Sequence, residues 1–248
     1  MKKTLFAVVL LLALSAASQV WLRGLREASA PAMAEGTFAA LGGLRSIAAE
    51  VIWFRADRLQ EEGRYVELAQ LASALAAMEP HTPEVWSYAS WNLAYNIAVM
   101  MPTYEDRWRW VLAGIRLLRD EGLVLNPGNP DLCRELAWLF ELKLGTDIDA
   151  AGKTYRVMWK RLVEDVKARG AWEELGMEPR KMLVIEKDTG FDDWTDPQLS
   201  AIYWAAEGLR KSSDVTRAML LEIMRQASII YARNRKLERD AKTGQGDT

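Results

Sequence analysis

The chain has 248 residues, half of them apolar, and its 32 basic and 34 acidic residues leave a formal net charge of −2. A chain of this size and composition buries a large core without disulfides or metals, and its balanced charge excludes a general nucleic-acid-binding surface. Because His81 and Cys133 are the single His and the single Cys, the sequence predicts no metal site, no small-molecule cofactor and no thiol or imidazole catalytic pair.

Residues 1–22 have the pattern of an export signal. Lys2 and Lys3 precede a long apolar run, and small residues at 15–18 offer a signal-peptidase site. Residues 4–22 carry no charge and are long enough to span a bilayer, so the segment is either a cleaved signal peptide or a membrane anchor. We favour the anchor because the apolar stretch continues to its end. Both outcomes place the body of the protein outside the cytoplasm, in the periplasm.

The segment at 23–43 is rich in Ala and Gly and predicts a tether. From residue 44 to residue 165 the apolar residues recur at helical spacing, and Gly and Pro interrupt the pattern at regular intervals. This spacing indicates an internal repeat. Residues 49–82 form a first unit of 34 residues, 83–129 a second with an insertion, and 130–165 a third.

The first unit resembles the tetratricopeptide repeat. The residues that carry this resemblance are Ile52, Ala56, Leu59, Gly63, Tyr65, Ala72 and Pro80. The second unit contributes Trp86, Leu93, Gly122 and Pro127, and the third contributes Leu136, Ala137, Phe140, Ala151 and Tyr155. The resemblance implies an all-α fold, a solenoid of helical hairpins in which small residues allow close helix packing, Gly permits the turn within a hairpin, and Pro ends its second helix.

The stretch "EDRWRWVLAGIRLLRDEGLVLNPGNP" at 105–130 predicts the second helix of the second unit. Its charges cancel, which removes a nucleic-acid-binding interpretation of its Trp and Arg residues. Trp108 and Trp110 fall on opposite apolar faces, which predicts a helix packed between neighbours. Arg116 and Asp120 have the spacing of an ion pair one helical turn apart.

The C-terminal third follows a different pattern. Several Gly and Pro residues at 166–197 predict an irregular segment with a short helix. A helical pattern resumes at 198–240 and predicts a terminal helix pair that caps the last repeat, followed by a polar tail at 241–248.

The resemblance implies that the first helix of each unit lines a concave groove. The predicted groove residues are Trp53, Asp57, Trp91, Tyr95, Arg134 and Trp138. Rigid aromatic rings separated by polar groups suit a protein partner or an extended peptide. The alternative is that these Trp side chains fill gaps between loosely matched repeats.

Two other groups of polar residues admit a functional and a structural interpretation. Asn92 and Asn96, with Arg134, are similar to the carboxylate clamps of some repeat proteins, but backbone-bonded Asn is the favoured interpretation. Carboxylates next to Trp, at Glu174 and at 192–193, suggest glycan hydrolysis, whereas turn and capping chemistry explains them more simply.

The sequence therefore predicts an exported, membrane-tethered repeat protein that binds other proteins as a scaffold or assembly factor and has no catalytic residues. A cell-envelope enzyme with a carboxylate site acting on glycan is the alternative, and a chaperone-like holder of secreted proteins is a third. An exposed Met pair at 100–101 is a further candidate contact.

Overall fold

A computed structural model of the chain describes residues 51–52 and 54–243. Within these residues the fold is all-helical, as predicted, and no strand is present. The predicted membrane segment, the tether and Trp53 lie outside the described residues. In the described part, no helix is both long enough and apolar enough to cross a membrane.

Nine helices follow one another in the described chain, and most are joined by short turns. They are α1 at residues 54–61, α2 at Tyr65–Met78, α3 at residues 83–100, α4 at residues 104–125, α5 at residues 130–144, α6 at Gly152–Arg169, α7 at Pro179–Thr189, α8 at Pro197–Leu209 and α9 at Asp214–Thr243. A 3₁₀ turn at Trp172–Leu175 lies between α6 and α7.

Each of the three helices α3, α4 and α5 contains a π-helical turn. These turns lie at Asn92–Ile97, Leu117–Gly122 and Leu139–Leu144. A π turn takes more residues than an α turn, so it changes which residues share a face of the helix. The predicted ion pair of Arg116 with Asp120 is not found among the described contacts, and Asp120 instead accepts hydrogen bonds from Arg119 at 2.5 and 2.8 Å.

The helices pack as successive hairpins. Helix α2 packs on α3, α3 packs on α4 and α5, α5 packs on α6 and α8, and α8 packs on α9. Helices α3, α5 and α8 therefore lie side by side in that order, and each is the first helix of its hairpin. A glycine turn with a φ of 69° at Gly63 separates α1 from α2, and prolines start α3, α5 and α8.

Small residues permit close helix contacts at the crossings. The Ser90 hydroxyl of α3 donates a hydrogen bond to the Gly114 carbonyl of α4 at 3.0 Å. A Cβ atom at Gly122 would lie 3.2 Å from the Trp86 ring, and one at Gly208 would lie 3.0 Å from Cys133 Cβ. Larger side chains at these positions would push the helices apart.

Helix α4 buries most of one of its two predicted apolar faces. Trp108 and Ile115 are buried in the core, whereas Trp110 and Leu117 on the other side are half-buried and Val124 is exposed. Neighbouring helices therefore cover the second face only partly. The predicted insertion in this unit also forms no long loop, because its residues extend α3 and α4 and leave a short connection at 101–103.

The C-terminal third is more ordered than its Gly and Pro content suggests. Leu175 and Met177 are buried, and the Glu178 N–H donates to the Tyr203 hydroxyl at 3.0 Å, which fixes this segment against α8. Nearly all of α8 is buried, so it is a central helix of the fold. Helix α9 continues to Thr243, through the first residues of the predicted tail.

Candidate functional site

Helix α3 presents two of the predicted groove residues together. Trp91 has 39% of its surface exposed, and its ring stacks on the Tyr95 ring with a centroid distance of 6.1 Å. The Tyr95 ring lies next to α5, with its centre 4.7 Å from the Lys143 ammonium, and burial together with the charges of Glu135 and Glu141 raises the pKa of Tyr95. The pair therefore forms an aromatic surface at the junction of α3 and α5.

Helix α5 contributes Arg134 and Trp138, which lie one turn apart on the same side. Trp138 has 44% of its surface exposed. The Arg134 side chain pairs with Glu135 at 2.7 Å and also reaches α9, where its Nη1 lies 3.5 Å from the Met219 sulfur. In the described residues the Arg134 Nε atom is buried and has no hydrogen-bond partner.

The structure does not bring Asp57, the predicted groove residue of α1, into this cluster. Asp57 is exposed, and its charge acts on the Tyr88 hydroxyl, whose pKa is raised by burial and by that charge. Tyr88 donates a hydrogen bond to Gln60 at 2.7 Å. No described contact joins Asp57 to Trp91 or Tyr95.

Glu141, one turn beyond Trp138 on α5, is an unusual carboxyl group. Only 6% of its surface is exposed, and its carboxylate has no hydrogen bond or ion pair with any residue that the structure describes. Burial, together with the charge of Glu222 on α9, raises the pKa of Glu141 to about 7. We define the aromatic surface by Trp91, Tyr95, Arg134, Trp138, Glu141 and Met219.

A buried ion pair lies on the inner side of α5. The Lys143 ammonium is 2.5 Å from the Asp149 carboxylate, and both side chains are almost completely buried. Burial alone would raise the pKa of Asp149, but hydrogen bonds from Lys143 and from the Ala151 N–H lower it below its usual value. The Tyr155 hydroxyl also donates to Asp149 at 3.2 Å.

Lys143 also contacts a ring of the aromatic surface. Its ammonium lies 4.7 Å from the centre of the Tyr95 ring and 5.8 Å from that of Tyr155. Such cation–π contacts are attractive and are stronger when water is excluded. Lys143 therefore links α3, α5 and α6, and it helps to fix the ring on which Trp91 stacks.

The Asn residues of the clamp hypothesis have a structural role. Asn92 is fully buried and donates to the Tyr65 carbonyl at 3.2 Å, and Asn96 donates to the Asn92 side chain at 3.1 Å. Asn92 thus ties α3 to α2. Its amide group is committed to this contact and does not face a ligand.

Two carboxylates of the glycan-hydrolysis hypothesis, those of Glu174 and Asp193, are engaged in ion pairs and a turn, whereas Asp192 is exposed. Glu174 pairs with Arg169 at 2.5 Å. Asp193 accepts from the Thr195 N–H at 3.1 Å and pairs with Arg235 at 2.6 Å. These contacts are those of a turn and a surface ion pair.

The described part of the chain gives little support for metal binding or for thiol chemistry. No group of His, Cys, Asp and Glu there could hold a metal ion. Burial raises the pKa of the Cys133 thiol to about 12, so the thiolate, which is the nucleophilic form, is disfavoured.

An open cleft of about 670 Å³ lies between α6, α9 and the loops before α6 and α8. Several of its charged groups are already paired. Arg156 pairs with Asp147 at 2.5 Å, and Asn234 donates to Asp196 at 3.0 Å. The cleft therefore offers less unsatisfied polar chemistry than the aromatic surface.

The chain matches no protein-family model, no curated protein and no solved structure. The functional interpretation therefore depends on the chemistry of the residues themselves.

Several residues near the aromatic surface were missed by the sequence-based prediction. Met219 and Glu222 belong to α9, which was interpreted as a cap and not as part of the site. Glu141 belongs to the same helix as the predicted groove residues Arg134 and Trp138, but the sequence does not show that its carboxylate lacks a partner. The buried ion pair of Lys143 could have been predicted from the sequence, because a lysine within the apolar stretch "LFELKL" requires a buried counter-charge.

Replacing Asp149 by Leu is expected to lower the free energy of unfolding by about 3–5 kcal/mol, because the Lys143 ammonium would stay buried without a partner. Urea unfolding measures this loss. The double variant Lys143→Met/Asp149→Leu should lose less stability than the sum of the two single variants, because no unpaired charge remains, although the Ala151 N–H and the Tyr155 hydroxyl lose their acceptor. A double variant as unstable as the sum of the two single variants would contradict the pairing.

The raised pKa of Glu141 predicts a pH dependence of stability. An ordinary Glu ionises near pH 4.5, so the native state holds the extra proton between pH 4.5 and about pH 7. Stability contributed by this proton is lost as the pH rises through that interval. The variant Glu141→Gln, which stays neutral, is expected to be more stable than the wild type by about 1–3 kcal/mol at pH 8.

The wild type and Glu141→Gln should differ little in free energy of unfolding at pH 4.5. Urea unfolding at pH 4.5 and at pH 8 measures both differences. Glu173→Gln, at an exposed position, is the matched control and should show no such difference. A wild type more stable than Glu141→Gln at pH 8 would contradict a buried, unpaired carboxyl group.

Proposed function

We propose that α1 to α6 form three tetratricopeptide-like hairpins and that α8 and α9 form a terminal pair, so that the whole is a short α-solenoid. The residues that match the repeat are largely buried where hairpins pack. They include Ala56, Leu59, Ala72, Leu136, Ala137, Phe140, Ala151 and Tyr155. The side-by-side order of α3, α5 and α8 also supports this arrangement, because repeats stack through their first helices.

On this fold, the function that the site supports best is binding of a protein partner or extended peptide at the aromatic surface, in the groove of the solenoid. One observation carries this proposal: Trp91 and Trp138 are exposed on neighbouring helices, whereas the other described Trp residues are buried or half-buried. Exposed Trp side chains on a rigid support are typical anchors of protein interfaces. The protein then acts as a scaffold or assembly factor and not as an enzyme.

The location of this function follows from the N-terminal sequence. Lys2 and Lys3 with the uncharged stretch at 4–22 support a membrane anchor with the body in the periplasm. The alternative is secretion after cleavage of the signal. N-terminal sequencing of the mature protein distinguishes the two: we expect the chain to keep residues 1–22, and a mature start near residue 19 would overturn the anchor.

Binding at the aromatic surface is tested by the double variant Trp91→Ala/Trp138→Ala. Interface anchors of this kind contribute roughly 2 kcal/mol or more each, so partner recovery in a pull-down with the full-length chain should fall more than about tenfold. The thermal unfolding temperature should change little, because both rings are substantially exposed.

Tyr104→Ala is the matched control, since Tyr104 on α4 has 43% of its surface exposed but lies outside the aromatic surface. It should leave recovery unchanged. Unchanged recovery with the Trp double variant would refute binding at this surface. Loss of folding would instead show that the two Trp belong to the core, as in the alternative interpretation of the sequence.

A further inference from the structure

The sulfur of Met219 on α9 lies against the guanidinium group of Arg134 on α5. Arg134 Nη1 donates to this sulfur at 3.5 Å, and a thioether is a weak hydrogen-bond acceptor. The neighbouring Nε atom is buried and has no partner among the described residues. Only Nη2 has a strong acceptor, the Glu135 carboxylate at 2.7 Å. The guanidinium group therefore keeps donor capacity beside the sulfur.

The Met219 sulfur also belongs to an accessible side chain. Among the methionine side chains that the structure describes, Met100 and Met219 are exposed, with 52% and 46% of their surface, whereas Met177 and Met182 are buried. Exposed thioethers are those that an oxidant in solution can reach. In the described residues no hydrogen bond is made to the Met100 sulfur. Met219 thus combines access with a neighbouring donor, and Met100 has access alone.

We propose that Met219 is an oxidation site, at which a peroxide converts the thioether into a sulfoxide whose oxygen accepts a hydrogen bond from Arg134. The sulfur has two lone pairs, and one of them attacks an oxygen of hydrogen peroxide. The S–O bond forms as the O–O bond breaks, and the transferred oxygen gives its proton to the departing hydroxide, which leaves as water. The sulfur is oxidised by two electrons and the peroxide is reduced.

Arg134 takes no part in this step and acts on its product. An oxygen bonded to the sulfur on the side of Arg134 comes within the ordinary hydrogen-bond range of about 2.7–3.2 Å from Nη1 after a small side-chain adjustment. A sulfoxide oxygen carries a large negative partial charge, and a hydrogen bond from a charged donor is roughly twice as strong as a neutral one. Oxidation therefore strengthens the contact between α5 and α9, whereas a methionine sulfoxide in a core disrupts packing.

The test uses two full-length variants that differ in which exposed methionine remains. Met100→Leu keeps Met219, and Met219→Leu keeps Met100, with Leu close to Met in volume. Each variant is treated briefly with hydrogen peroxide, chains with one added oxygen are isolated by chromatography, and mass spectrometry of their peptides locates the oxygen. Urea unfolding then compares the oxidised and the reduced form of each variant.

Oxidation of Met100→Leu at Met219 should raise the equilibrium constant for folding about tenfold, the range of a hydrogen bond to a charged group. Oxidation of Met219→Leu at Met100 should not raise it, because no donor lies beside that sulfur. In Met100→Leu/Arg134→Leu the donor is removed, so oxidation at Met219 should give no increase. The loss of Arg134 itself cancels, since both forms of this variant lack it.

A measurement on the folded chain covers the case in which Arg134→Leu does not fold. Nuclear magnetic resonance of Met100→Leu with isotope-labelled arginine should show a shift of the Arg134 side-chain signals on oxidation. Unshifted signals would overturn the hydrogen bond, as would an unchanged or lower equilibrium constant, or an increase that persists without Arg134.

The accessibility of the site is tested in the wild type by the same peptide analysis. Met219 should be oxidised together with Met100 and well before Met177 and Met182. A Met219 that reacts no faster than these two buried residues would overturn the oxidation site. The inference concerns the chain alone, so a failure of partner binding at the aromatic surface would leave it intact.

Discussion

The buried pair of Lys143 and Asp149 connects more of this structure than any other polar contact of the candidate site. Asp149 lies in the loop between α5 and α6 and accepts from Lys143, from the Ala151 N–H and from Tyr155. Lys143 in turn lies against the Tyr95 ring of α3. Such a pair contributes little net stability compared with apolar packing, but it is strongly specific, because either charge alone would be costly in the core. It therefore fixes the relative position of three helices.

The aromatic surface depends on this position. The Lys143 ammonium lies against the Tyr95 ring, and the Trp91 ring stacks on that same ring, so the more exposed ring contacts a supported one. Trp138 and Glu141 belong to the helix that carries Lys143, a π turn begins after Trp138, and the Lys143 side chain lies in the core. An exposed ring that is already ordered loses little conformational entropy on binding, which favours its use as an interface anchor.

Much of the fold was predictable because it depends on local signals. The all-helical class followed from apolar spacing, and Pro83, Pro130 and the turn at Gly63 marked the ends of helices. The π turns were not predictable, because apolar spacing does not distinguish a π turn from an α turn, and the pairing of Asp120 with Arg119 was missed. The site was predictable in its aromatic half, since Trp91, Tyr95 and Trp138 stand out by type. The electrostatic part of the site was not predictable. Glu141 lacks a partner only in the folded chain, where its surroundings include α9, which is far away in sequence.

In the proposed function, Trp91 and Trp138 are ordered and exposed on the surface of the free chain, and a partner covers them in the cell. Hydroxyl-radical footprinting read by mass spectrometry measures this directly, by comparing the oxidation of each Trp in the purified full-length chain and in the cells that produce it. Trp91 and Trp138 are expected to react readily in the purified chain and to be protected in cells, while Tyr104 reacts in both settings and the buried Trp159 in neither. Equal reactivity of Trp91 and Trp138 in the two settings, with Tyr104 unchanged, would contradict it.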